Sequence, residues 1–325
     1  MAVLSTLFPG LAAAQEQPGA GFLARALAQG GRFTFGSPGF LIVEDYMDGG
    51  GPVAQAVLDS TGASKSFGSL PYPGELGIAG PGLAAGVAAG FGVEGAKLPN
   101  WPFYAGAEHP VTPSSEVADP SGQFALRAAA DARTARGFAQ SMFGNENGSG
   151  GGRSESSVTL AEDGTVTAVA ETVDEMLFFG GGTLTVNSVR SRSVTTVTPG
   201  AEPVTETDLS FTGVAVNGQG AVFAPGDADG AAPLIEALAQ AGITLEVVRA
   251  QPVAGGGTAD ALRITVLGGP PIPGAPQGRV IFSFGGATTS VQLGEAAAEA
   301  PAEEEATAAT AAPSQRRSQM CRQPT

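Results

Sequence analysis

Histidine, cysteine and lysine supply most nucleophiles, general bases and transition-metal ligands. In this chain of 325 residues they come to His109, Cys321 and two lysines, Lys65 and Lys97. His109 sits in a proline-rich stretch with no partner at a spacing that would build a triad, so it reads as a structural histidine. Cys321 lies in a polar tail and has no second cysteine to bridge. Carboxylates remain. Glu44, Asp45 and Asp48 precede Gly49-Gly50-Gly51, which sets hard oxygen ligands beside a flexible turn, as a calcium site needs. The ligand series is incomplete, and a solvated acidic turn closing a strand is the favoured reading. Asp227 and Asp229 in GDADG mimic the opening of a calcium loop, but Leu238 stands where the closing Glu belongs. Their acidity suits a helix N-terminus better. Gly62 to Ser66 (GASKS) lacks the glycine spacing of a phosphate loop, and there is no G-x-S-x-G elbow. Two carboxylates suffice for glycoside hydrolysis, yet 31 acidic residues single out no pair. The sequence therefore nominates no catalytic, cofactor-binding or metal-ligating residue.

Charge excludes further classes. The net charge is −15, and the 16 Lys and Arg residues form no basic cluster. Neither a nucleic-acid backbone nor an anionic lipid surface is held without one. Arginine outnumbers lysine among those cations, and Ala, Gly and Pro are abundant, a bias of high-GC bacterial coding. Only 14% of residues are charged, which argues against disorder through the whole chain.

The elements that must position any site fall into four regions. Residues 1–14 (MAVLSTLFPGLAAA) read as a signal-peptide remnant, an apolar stretch ending in a small-residue cleavage edge before Gln15. Residues 15–148 form a Gly/Pro-rich part expected to pack on the sheet; Phe33 to Tyr46 holds two strand-like pieces and Val53 to Leu58 a third. Pro99 to Pro113 reads as an extended loop laid on an apolar surface through Trp101, Phe103 and Tyr104. Leu76 to Val93 is uncharged, but its glycines, Pro81 and alanines favour a buried loop or short helix over a membrane span. Residues 149–293 alternate cleanly. Strands are expected at Ser157–Ala161 and Thr165–Ala170 about an Asp163-Gly164 turn, at Thr183–Val189, Val194–Thr198, Thr205–Phe211, Val214–Val216 and Ala221–Ala224. Four more are expected at Ile243–Arg249, Ala261–Leu267, Arg279–Phe284 and Thr288–Leu293. Ala231 to Ala241 is the one convincing helix, with Asp229 to cap it, Gly242 to end it, and Leu234, Ile235 and Leu238 as its apolar stripe. Residues 294–325, an Ala/Glu/Pro/Thr tail, have nothing with which to pack and read as a disordered stalk. Tight turns imply antiparallel neighbours and alternation implies one buried face. The expected fold is mainly β: a long twisted antiparallel sheet or sandwich with one amphipathic helix packed on it.

The segment Phe40 to Glu75 (FLIVEDYMDGGGPVAQAVLDSTGASKSFGSLPYPGE), taken with TLTVNSVRSRSVTTVTPG and LIEALAQAGITLEVV, resembles a group of uncharacterised exported envelope proteins of actinobacteria. The resemblance spans most of residues 32–293. It implies a cell-envelope location and a C-terminal stalk or anchor, and it carries no active-site residue. The expectation is a non-enzymatic, secreted or envelope protein with a structural or interaction role, its partner a cell-envelope component. Two rivals stand beside it: a carrier of a lipid or other apolar ligand in a sheet–helix cavity, and a carboxylate-based carbohydrate-active enzyme. No cofactor, no nucleic acid and no integral membrane segment is expected.

Overall fold

A computed structural model describes residues 21–36, 45–70, 103–145, 148–220, 232–268 and 277–294. Strands dominate it, and all pairings are antiparallel. A seven-stranded sheet runs in the order β17 (Gln251–Val253), β18 (Gly256–Thr258), β21 (Gly286–Leu293), β1 (Phe22–Gln29), β4 (Val53–Asp59), β5 (Ser64–Ser69) and β6 (Tyr104–His109). A nine-stranded sheet runs β15 (Gln219–Gly220), β14 (Ala215–Val216), β12 (Leu184–Val197), β11 (Val166–Phe179), β10 (Gly148–Leu160), β9 (Thr134–Asn145), β8 (Phe124–Ala130) and β7 (Ser114–Ala118), with β13 (Val204–Thr212) also pairing β12. A five-stranded sheet runs β16 (Ile243–Val248), β19 (Ala261–Leu267), β20 (Arg279–Phe284), β2 (Arg32–Gly36) and β3 (Asp45–Gly50).

The five- and seven-stranded sheets share three chain paths that bend at one level. The path β1 to β2 bends at Gly30-Gly31, β3 to β4 at Gly51-Pro52, and β20 to β21 at Gly285, whose φ is +92°. Gly30 N–H donates to the Pro52 carbonyl at 2.8 Å and Gly51 N–H to the Gly31 carbonyl at 2.6 Å, tying two of the bends together. A side chain at Gly31 would meet the Phe284 ring at 2.8 Å, so the close approach there requires glycine.

The nine-stranded sheet lies across both, and its long strands meet two different cores. Against the seven-stranded sheet the facing side chains are mostly small: Ala24, Ala26, Ala54, Ala56, Ala168 and Ala170, with four valines and Leu58 the larger buried ones. Sheets normally pack about 10 Å apart. Here short hydroxyl side chains reach the backbone of the opposite sheet or of its connections. Ser64 Oγ donates to the Asp131 carbonyl at 2.7 Å, Ser66 Oγ to that of Ala129 at 2.9 Å, and Ser154 Oγ to that of Pro52 at 2.8 Å. A serine hydroxyl extends only two atoms beyond Cα, so these bonds require an unusually narrow interlayer. The alanine, serine and glycine content is the sequence cause of that narrowness. Deeper in, Thr289 Oγ1 bonds Ser193 Oγ at 2.7 Å and Thr195 Oγ1 at 2.8 Å. These three buried hydroxyls thus satisfy one another. Past the bend the core becomes large-chained: Phe179, Leu184, Val186, Ile243, Leu245, Leu262, Ile264 and Phe284. The helix α1 (Ala232–Gln240) closes this end, packing on β16 and β14.

The mainly β architecture, with one α-helix among the described residues, is as expected, and the β10–β11 hairpin turns at Asp163-Gly164, where Gly164 has φ +84°. Three details differ. Thr183–Val189 and Val194–Thr198 are not separate strands: residues 184–197 form the single β12, because the intervening Arg190, Ser191 and Arg192 keep the alternation. The 99–113 stretch contains a strand, β6, since its residues 104–109 find an open edge on β5. Ile235 does not join the helix's buried stripe; it is 40% exposed while Leu238 is fully buried. The helix packs at an edge, which narrows its contact face.

Candidate functional site

Antiparallel pairing lines up one row of side chains on the outer face of the nine-stranded sheet. The cross-strand partners run Glu116, Arg127, Phe138, Glu155, Glu171, Arg192 and Asp208, one from each of β7 to β13. Inward neighbours such as Leu126, Ala139, Ser156 and Thr172 are buried, so this row faces solvent by strand parity. A trough of about 920 Å³ follows it, lined also by Arg136 and the hydroxyls of Ser114, Ser115, Ser157 and Thr159.

The row is electrostatically organised. Glu155 and Glu171 stand directly opposite each other, a like-charge pairing that destabilises a sheet unless compensated. Arg153 compensates it, with Nε 3.3 Å from Glu155 and Nη2 3.4 Å from Glu171. Arg190 adds a contact to Glu171 at 2.8 Å and Arg192 one at 3.6 Å, so three guanidiniums converge on one carboxylate. Hydrogen bonding and the charge of Glu171 raise the Arg190 guanidinium further above its ordinary value. Arg127 bonds Glu116 at 2.9 Å and lies over the Phe138 ring, 5.3 Å from its centre, within reach of a cation–π attraction. Arg136 is exposed and has no carboxylate partner among the described residues. Such exposed pairs contribute little stability each; their consequence is a patterned face of fixed guanidiniums, hydroxyls and one aromatic ring.

On the inner face of the same sheet, at the level of the bends, sits Asp174. Its Oδ1 accepts the Gly31 N–H at 3.0 Å, and Oδ2 has no hydrogen-bond partner. Only 4% of the residue is exposed. Burial pushes its carboxyl up to about 7, the Gly31 N–H offsetting part of that effect. Asp174 forms part of the wall of a cleft of about 340 Å³, with Phe33, Phe178, Phe179, Phe282 and Phe284 as its aromatic lining. Gly152, its cross-strand partner on β10, leaves the space the carboxyl occupies: a Cβ there would lie 2.8 Å from Oδ1. Met176, also in the wall, adopts φ +54°. That is a strained conformation for a residue bearing a side chain.

The residues weighed from sequence do not assemble into a site. Asp45 and Asp48 belong to β3, paired across from Gly36 and Thr34, rather than to a turn, because Gly49 and Gly50 continue the ladder opposite Phe33 and Arg32. Glu44, Asp227, Asp229, Trp101, Cys321 and the stretch 76–93 lie outside the described residues, as does the side chain of Leu234. Gly62 to Ser66 is a hairpin turn entering β5, where Lys65 pairs with Glu108 at 2.8 Å. His109 ends β6 opposite Ser64, and Phe103 and Tyr104 pack on Phe124 and Phe67. Among the described residues no group of three His, Cys, Asp or Glu side chains is placed to hold a metal, and no helix is long and apolar enough to cross a membrane. Sequence reasoning passed over both Arg136–Phe138–Glu155–Glu171 and Asp174. The signal for the second was present: positions 166, 168, 170 and 172 alternate inward as Val, Ala, Ala and Thr, and the next inward position is Asp174.

Compared with known proteins, the chain matches no family model and no curated protein sequence.

Proposed function

We propose that this chain is a non-enzymatic, exported protein of the bacterial cell envelope whose outer nine-stranded face binds an acidic polysaccharide of that envelope. The observation that carries the reading is the trough: Arg127, Arg136 and Arg192 set among Glu116, Glu155 and Glu171, with serine and threonine hydroxyls and the Phe138 ring, in one solvated groove. In a chain of net charge −15, the other arginines of this face are matched by its glutamates, and Arg136, with no acidic neighbour among the described residues, is left to take a ligand's carboxylate. The hydroxyls match a polyhydroxylated chain, and one ring face suits a sugar's apolar side. The apolar N-terminal residues 1–14 and the resemblance to exported envelope proteins support the location. The glycosidase reading finds its nearest carboxylate pair in Glu155 and Glu171, but arginine contacts occupy both, which disfavours them as acid and nucleophile.

The test is calorimetric titration with purified uronic-acid-bearing and neutral polysaccharides. Saturable binding of the acidic polymer is expected, weakened by salt and lowered about tenfold or more, an energy typical of a lost charge-assisted contact, by Arg136→Ala with Arg127→Ala. Absence of binding, or equal binding by the double variant, refutes the assignment. Detection of the native protein in the cytoplasmic fraction of its host refutes the location.

A further inference from the structure

The cleft at the bends has a chemistry of its own, on the opposite face of the sheet from the trough. Buried polar groups nearly always find partners, and a buried carboxyl costs most of all when left unpaired. Asp174 has one partner for two oxygens. Everything around it is arranged to keep it there: Gly152 clears space on one side, Gly31 brings an N–H to Oδ1 on the other, and Met176 two residues on is held in a strained backbone. Strained, under-satisfied positions of this kind belong to ligand sites more than to scaffolds.

The rest of the wall says what ligand fits. Phe179 contacts Phe282 and Phe284 edge-on, with ring centres 5.1 and 5.8 Å apart, and Phe33 faces the same space. Ring faces attract cations and apolar bodies alike. The volume of about 340 Å³ is at the small end of ligand pockets. Besides Asp174, the charged side chain lining the described cleft is Arg32, exposed at the rim and already engaged. Glu175, the next acid along β11, is exposed, and its strand parity sends it to the opposite face.

We infer that this cleft binds a small amphipathic cation, an aryl- or alkyl-ammonium whose apolar body lies among the phenylalanine rings and whose N–H groups bond the Asp174 carboxylate. Oδ2 is buried, and the ligand reaches it by a turn of the carboxyl's terminal torsion, which is a broad and soft one. The ammonium then replaces the proton that the buried carboxyl would otherwise hold.

The experiment titrates the full chain with phenethylammonium and with phenylethanol, its neutral counterpart of like shape, followed by calorimetry. The ammonium should bind saturably at about pH 8, and about 30-fold more weakly at about pH 5.5, where Asp174 carries a proton. The alcohol should bind at least about tenfold more weakly than the ammonium at the higher pH, a loss expected from one missing charged hydrogen bond. Asp174→Asn should abolish the preference for the cation, and Phe33→Ala should weaken both ligands; were the first variant not to fold, the second and the pH dependence decide. No saturable binding of the ammonium, equal binding of alcohol and ammonium, or pH-independent affinity overturns the inference. None of these outcomes bears on polysaccharide binding, because Arg136 and Arg127 lie on the other face of the sheet.

Discussion

Replacing Asp174 by Asn should leave stability nearly unchanged at about pH 4 and make the protein progressively more stable than the wild type as pH rises toward 7 and above. A carboxyl whose native value is raised from 3.8 to about 7 binds its proton more tightly folded than unfolded. Between those two values the native state carries protons that the unfolded chain has released, so stability falls as pH rises, and the loss is complete above about 7. At about 1.36 kcal/mol for each pH unit between them, the loss comes to about 4 kcal/mol, an upper figure because the site can relax or admit water. Asn is isosteric with the neutral acid, and its Oδ1 can accept the same Gly31 N–H. The extra donor it carries is as poorly matched as the carboxyl's own proton, so that cost cancels in the comparison. Urea denaturation of both proteins at several values from about pH 4.5 to about pH 8.5 reads the difference as two curves that diverge with rising pH. Parallel curves over this range would show that Asp174 is not desolvated in the folded chain, and would refute the burial from which the divergence is expected.

Other outcomes follow from the packing. Gly137→Ala should destabilise by roughly 1–3 kcal/mol or prevent folding. Its Cβ would sit 2.7 Å from the Gln55 carbonyl oxygen and close on that of Phe67, and neither backbone can withdraw. Thermal denaturation measures it. Leu238→Ala should cost about 2–5 kcal/mol, whereas Ile235→Ala should stay within about 0.5 kcal/mol, since only the first is fully buried; equal effects in chemical denaturation would mean that α1 is rotated. In acid the sign reverses. Asp59 and Asp131 are held below the ordinary carboxylate value chiefly by the hydroxyls of Thr61 and Thr134, at 2.6 Å each. Their contribution is present above the unfolded value and lost as pH falls through the lowered ones, so stability should decline below about pH 4. Thr134→Val should move that decline to higher pH, read by circular dichroism, and an unmoved decline would refute the role of the Asp131 turn.

Where one residue type dictates one conformation, the elements are legible in the sequence. The Asp163-Gly164 turn and the strands at 261–267 and 279–284 follow from glycine's access to positive φ and from period-two alternation. The N-terminal strands are harder to see. In β1 and β6 the inward residues are alanine, a weak strand former, whereas β4, expected at Val53 to Leu58, also carries Val53, Val57 and Leu58 beside its inward alanines. What makes them strands is the partner sheet, which needs small side chains to approach closely enough for serine hydroxyls to cross. Propensity is evaluated one segment at a time and misses a demand made by two. The trough was hidden for a related reason. Arg153 and Glu155, or Arg190 and Arg192, look like ordinary solvated faces until pairing brings them beside Glu171.

Strand parity joins the two faces into one problem. On β11, Glu171 and Val173 point outward while Thr172 and Asp174 point inward, and on β10 Glu155 is outward while Gly152 and Ser154 are inward. A one-residue slip would put Glu171 into the narrow alanine layer and Asp174 into water, so one register builds both the trough and the cleft. The alternation cannot run on unchanged past Asp174, because the core beyond the bend is built from large side chains and the one before it from small ones. Met176 is where the sheet absorbs the change: its left-handed backbone falls between the pairs Glu175–Ser188 and Leu177–Val186. The strain is thus located at the junction of the two packing regimes, next to the carboxyl that is half satisfied.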